Sequence, residues 1–152
     1  MTKASKLTTS LIFIVVFLAL IFYNYHLAQK AMKEEKSSII NVENVSYPAT
    51  AGHNSRATFI WKVNSPSDLE ASTTSIYWGY ESSSSALKEY DSPQAVGYPN
   101  HSPDYESGNF RLPSEFNISM AFDKPGTVYF RSYALVRSKH LWSEESSFRI
   151  TQ

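Results

Sequence analysis

Leu11 to Phe22 reads LIFIVVFLALIF, and no Asp, Glu, Lys or Arg occurs anywhere from Leu7 to Gln29. A run this apolar has few places to go. Eleven of the twelve residues are Leu, Ile, Val or Phe, each favouring membrane insertion by roughly 0.3 to 0.6 kcal/mol, so the run favours the bilayer by about 3 to 6 kcal/mol. As a helix, Leu7 to Tyr25 covers about 28 Å, close to the ~30 Å hydrocarbon core of a bilayer. Tyr23, Tyr25 and His26 fall where an interfacial aromatic belt would sit, and Lys3 and Lys6 flank the opposite end. The expectation is a transmembrane helix over residues 7–25, after a short tail of residues 1–6.

A cleaved signal peptide is the competing view. The bulky sequence FYNYHLAQKA that follows offers no small-x-small cleavage site: cutting after Ala28 puts His26, and cutting after Ala31 puts Gln29, where a small residue belongs. An uncleaved anchor is therefore expected. Lysine counts barely orient it, with two before the span and three after. The long carboxy-terminal part folds and is translocated largely regardless of nearby charge, so it is expected outside the cell membrane, in a single-pass topology. HLAQKAMKEEKSS lacks Gly and Pro, and residues 26–38 are read as a helical stalk.

Beyond Ser38 the texture changes to short alternating runs separated by Pro, Gly, Asn and Ser. IINVENVSYP reads as a first strand. SRATFIWKVN puts Ala57, Phe59, Trp61 and Val63 on one face against Thr58 and Lys62. Ile76, Trp78 and Tyr80 share a face in the next run, with Gly79 marking a bulge or a close backbone approach. Phe116, Ile118, Met120 and Phe122 share another. The chain ends in PGTVYFRSYALVRSKHLWSEESSFRI, read as two strands about a four-residue turn. Val128, Phe130, Ala134 and Val136 there oppose Tyr129, Arg131, Tyr133 and Leu135, and Trp142, Phe148 and Ile150 share a parity. Six or seven antiparallel strands and no second helix predict an all-β chain over residues 39–152, an antiparallel β-sandwich with its aromatics, including Trp61, Trp78 and Trp142, as core filling.

Gly126-Thr127-Val128-Tyr129, the strand through Ala134, a short turn and a final WSEESSFRI together resemble the last hairpin of fibronectin type III-like domains. The order IYWGYES, GYPN, SGNFRLP, PGTVYFRSYA, WSEE is also similar to Ig-like modules of prokaryotic cell-surface proteins. The resemblance covers residues 39–152 and implies a tyrosine corner at Thr127 and Tyr129, the tyrosine hydroxyl bonding back to the backbone. Arg131 departs from the pattern, since an inward apolar residue is usual there.

Between the third strand and EFNISMAF lies a segment from Ser82 to Pro113, too long for a simple turn. Its Tyr90, Tyr98, His101 and Tyr105 form a candidate partner-binding loop, because tyrosine offers large contact area at low entropic cost; the alternative is a crossover loop whose tyrosines pack on the sandwich. Asp91, Asn100, Asp104 and Glu106 supply hard oxygen donors, but at irregular spacing and without a calcium-loop motif. The chain has no cysteine, which excludes disulfides, thiolate zinc sites and Fe–S clusters. His26, His53, His101 and His140 show no metal-binding spacing. No metal or cofactor is expected, and no G-x-S-x-G, P-loop or G-x-G-x-x-G signals an enzyme. Glu144 and Glu145 alternate to opposite faces, which rules out an acid/base dyad and reads as charge guarding an edge strand. Residues 37–152 carry nine Lys and Arg, scattered, against twelve Asp and Glu, the wrong sign for nucleic acid. N-x-S sequons occur at Asn44, Asn100 and Asn117.

These features predict a non-enzymatic surface protein presenting a sandwich to a protein or glycan partner, for adhesion or envelope assembly. A pilin- or archaellin-like filament subunit and an accessory subunit of a membrane complex are the alternatives.

Overall fold

In the computed structural model the described residues are 16–30, 39–83 and 85–152. They fall in two units, up to Ser38 and from Ile39 on. In the first, residues 16–30 form a helix, α1. Its apolar side chains are exposed on every side, Phe17 by 65% and Phe22 by 75%. Among the described residues no helix is long and apolar enough to cross a membrane. The expected tail, the first half of the expected span and residues 31–38 of the expected stalk lie outside the described residues; the part of the span from Val16 on is helical, as is the start of the stalk.

The second unit is built from two sheets. Strands β1 (Asn41–Ser46), β3 (Arg56–Asn64) and β7 (Ser114–Ala121) pair in the order β1-β3-β7. The other sheet runs β2 (Thr50–Gly52), β10 (Ser146–Thr151), β8 (Gly126–Val136), β4 (Leu69–Gly79), β5 (Asn100–His101), with β6 (Phe110–Leu112) also on β4 and β9 (Lys139–Trp142) also on β8. The expected alternations hold. Ala57, Phe59, Trp61 and Val63 of β3, Phe116 and Ile118 of β7, Ile76 of β4, and Val128, Phe130, Ala134 and Val136 of β8 share one core. Edge-to-face rings tie it together: Phe59 meets Phe130 at 5.0 Å and Phe148 at 5.3 Å between centroids, and Trp78 meets Phe122 at 4.8 Å. The wholly buried Trp61 donates its indole N–H to Thr74 Oγ1 at 2.8 Å, and the Thr74 hydroxyl in turn donates to the Tyr133 carbonyl at 2.7 Å. A buried polar chain of this kind leaves no donor unmatched.

Four expectations need correction. First, the sheet is not antiparallel throughout: β2 runs parallel to β10, with Thr50 to Gly52 beside Arg149 to Thr151. Three residues ahead of β3 are too short for a readable pattern. Second, a second helix exists, the single turn α2 (Pro93–Val96), opened by Pro at its first position and closed by Gly97 at φ 86°. Third, the last hairpin turns on two residues, Arg137 (φ 49°) and Ser138 (φ 64°). Both adopt the left-handed region that a twisted two-residue hairpin demands, without the usual Asn-Gly.

Fourth, Trp142 does not share the core face of Phe148 and Ile150. Tyr133 faces Trp142, whereas Phe130 faces Ser146. Three residues, Ser143 to Glu145, thus oppose two on β8. One extra residue in a strand flips every following side chain to the other face, so Trp142 points out of the sandwich while Phe148 and Ile150 point in.

Candidate functional site

The outward residues of β4, β8 and β9 form a surface that the segment after β4 folds over. Tyr77, Tyr133 and Trp142 pack ring against ring, with centroids 4.6 to 5.4 Å apart. Tyr133 is buried and donates or accepts at His140 Nδ1, 2.7 Å away. Burial pushes the Tyr133 phenol well above its usual value, with Tyr77 adding to it.

Beside this aromatic patch lies a polar latch. Arg131 is 4% exposed. Its guanidinium donates to the carbonyls of Ser143 (3.0 Å), Ser83 (3.1 Å) and Ser85 (3.2 Å), and among the described residues its Nε has no partner. Glu145, which the bulge releases from the ladder, accepts from the Ser82 hydroxyl, the Ser83 N–H (2.7 Å) and the Tyr98 hydroxyl. Burial raises the Glu145 carboxyl, but those three hydrogen bonds and the Arg131 charge outweigh it and hold the group below the usual glutamate value. Burial, then the bond to Glu145, pushes the Tyr98 phenol far up, against the opposing pull of Arg131. Glu145 is therefore an anchor, not the edge guard expected from its strand. That edge is in any case covered, since β10 has β2 on its far side.

Further along, the segment follows the free edge of β4. Ser102 N–H bonds Ile76 O, Thr74 N–H bonds Tyr105 O and Gly108 N–H bonds Ser72 O, each at 3.0 Å. Gly79 marks the close approach expected of it: a Cβ there would lie 3.0 Å from Pro99 Cδ. Trp142 Nε1 donates to Asp91 O at 2.9 Å, and His140 N–H to Glu89 O.

The four loop residues singled out from sequence are not brought together. Tyr98 is buried in the latch. Tyr105 packs against Trp61, Phe110 and Phe116 at the side of the core. His101 is exposed, stacked on Tyr77 at 5.2 Å and bonded to Glu106. Tyr90 is 86% exposed. Two tyrosines thus pack on the sandwich, and only Tyr90 and His101 face solvent.

Thr127 is exposed and Tyr129 half-buried on the outer face of β8. Among the described residues the Tyr129 hydroxyl makes no hydrogen bond; Tyr80 instead bonds the backbone there, at Lys124 O (2.9 Å). Of the three sequons, Asn44 is committed to Ser146 and Ser132, Asn100 lies against Trp78 O, and Asn117 is exposed. Among the described residues no three His, Cys, Asp or Glu side chains are grouped to hold a metal. Asp91 accepts from Lys88 N–H, and Asp104 meets Ser102.

Arg131, Glu145, Tyr77 and Trp142 escaped sequence reasoning as partners of one another. The one available signal was Arg131 itself, a charge on a strand whose neighbours are all apolar, aromatic or small.

Strand order defines the class. β1-β3-β7 facing β10-β8-β4 reproduces the A-B-E and G-F-C strands of an Ig-like β-sandwich. No protein-family model matches the chain, and no curated protein matches it. Among solved structures it is similar to the PKD domain of an M14-like peptidase from a Thermoplasmatales archaeon (14% identity, TM-score 0.48, 76% of this chain and 95% of that one). It is also similar to an alkylpurine DNA glycosylase of Pseudomonas fluorescens (12%, 0.45, 76% and 32%) and to the superoxide reductase neelaredoxin of Ignicoccus hospitalis (12%, 0.43, 77% and 85%).

Proposed function

We propose that the chain is a membrane-tethered, non-enzymatic binding module that presents its Ig-like sandwich outside the cell to a protein or glycan partner. The recognition surface in this reading is the outer face of β4, β8 and β9 with the segment folded over it, and Tyr90 and His101 are its contact residues. The observation that carries the reading is the latch. A long segment between strands is tied down by Arg131 and Glu145 while leaving Tyr90 86% exposed. A preorganised aromatic contact of that kind loses little entropy on binding.

Membrane attachment rests on the apolar run Leu11 to Phe22, whose part from Val16 on is the exposed apolar start of α1, since such a run buries itself in lipid or among other helices. The second option keeps a filament subunit open as a second reading. Sequencing the mature amino terminus separates them: an intact start supports the anchor, and a start trimmed ahead of Leu11 supports the filament.

Protease shaving of intact cells tests the topology. Loss of residues 39–152 with retention of a membrane-embedded fragment is expected; a domain cleaved only after lysis overturns the outside placement. For recognition, full-length protein in detergent is offered to a glycan panel and to envelope proteins of its own cell. Tyr90→Ala and His101→Ala are expected to weaken binding by about tenfold each, the effect of a moderate contact residue. Binding indifferent to both substitutions moves the site elsewhere.

A further inference from the structure

A sheet edge is an unfilled row of hydrogen bonds, and proteins usually blunt it with short strands, bulges, proline or charge. Here β2, β5 and β6 are three, two and three residues long. β1 carries a register shift between Asn44 and Ser46 and is tied to the opposite sheet through Asn44. β7 is different. It is eight residues long, pairs among the described residues on one side only, with β3, and shows no register shift in that ladder. Alternation turns the backbone groups of Glu115, Asn117, Ser119 and Ala121 away from β3. The Tyr105 hydroxyl, 3.2 Å from Asn117 O, marks that direction. A carbonyl has a second lone pair, so Tyr105 does not close the edge.

We propose that β7 is a self-association edge: two copies of this chain join β7 to β7 antiparallel about a twofold axis at Ile118, fusing two three-stranded sheets into one of six strands. The sequence of the strand is self-complementary in this register. Glu115 falls opposite Ala121, Asn117 opposite Ser119, Phe116 opposite Met120, and Ile118 opposite its own copy. No like charges meet. The single acid already has Lys62 beside it on β3, so it needs no counter-charge from the partner. Polar side chains stay on the exposed face and the apolar row runs on from one copy into the next. An unrelated strand would have to match face, charge and length by coincidence; a second copy does so by symmetry.

Sedimentation of the full-length chain in detergent, over a concentration series, tests this. Wild type is expected to show a reversible monomer–dimer equilibrium. Asn117 and Ser119 are both exposed, so the double variant Asn117→Lys with Ser119→Lys should keep its circular dichroism. It places lysine opposite lysine twice and should weaken dimerisation by about tenfold or more. The double variant Asn117→Glu with Ser119→Glu should do the same, and an equimolar mixture of the two should recover the dimer. A wild type that stays monomeric across the series overturns the proposal. So does a dimer that persists unweakened in both variants, which would assign association to α1, and so does a mixture that fails to recover it.

Discussion

Inward, β8 offers Val128, Phe130, Ala134 and Val136 to an interlocked core; outward, it offers Tyr129, Arg131, Tyr133 and Leu135, of which Arg131 bonds the segment after β4 and Tyr133 packs on Tyr77 and Trp142. The inner face is buried throughout and the outer one at Arg131 and Tyr133, yet by different means. The inner face is held by non-directional apolar contact with many neighbours, any of which can shift a little. The outer face is held by a few directional bonds: Arg131 donates to three backbone carbonyls, and Glu145 accepts from the Ser83 N–H and from the Ser82 and Tyr98 hydroxyls. Apolar packing makes the fold; the polar latch selects one path for one segment.

Removing an inner ring should therefore cost the most. Phe130→Ala leaves a cavity against Phe59, Phe148 and Tyr47 and is expected to lower stability by about 3 to 5 kcal/mol, read as a shift of the urea midpoint at constant slope. Arg131→Ala strands three carbonyls and the Glu145 carboxylate. It is expected to lower stability by about 2 to 3 kcal/mol, and its signature differs. Amide exchange should speed up in residues 82–98 while the β3–β7 ladder keeps its protection. Uniform loss of protection would mean the two faces are one cooperative unit.

Glu145→Gln keeps the shape of the latch and removes its charge, for about 1 to 2 kcal/mol. Its pH behaviour is diagnostic. The folded carboxyl lies below its ordinary value of 4.5, so the unfolded chain takes up the proton first as pH falls. The stabilisation is complete above that value and is lost as pH falls through the folded one. Wild type should lose stability on acidification more steeply than the Gln variant; equal acid limbs would remove Glu145 from the latch. Smallest, and opposite in sign, is the turn. Arg137→Asn with Ser138→Gly relieves two left-handed residues and is expected to add about 1 kcal/mol, seen as a higher melting temperature.

Much of the inner face could be read directly. Phe59, Trp61 and Val63, or Val128 and Phe130, announce a buried side by alternation alone, because one sheet face is dry and the other is not. The outer face could not be read that way. Tyr98 and Tyr90 look alike in sequence, and only the path of the segment buries one and exposes the other. Trp142 carried the same parity as Phe148, and a one-residue bulge reversed its face. Glu145 looked like a surface charge because nothing local announces that Ser82, Ser83 and Tyr98 come to meet it.

From its residues alone the chain specifies alternating strands and the β-sandwich they build, since solvent sorts side chains by a local period of two. Which outward residues become buried, where β2 finds a parallel neighbour and why β7 is left open depend on contacts between residues tens of positions apart. Those contacts are set by how the segments cross once the sheets have formed, and no local pattern records that crossing.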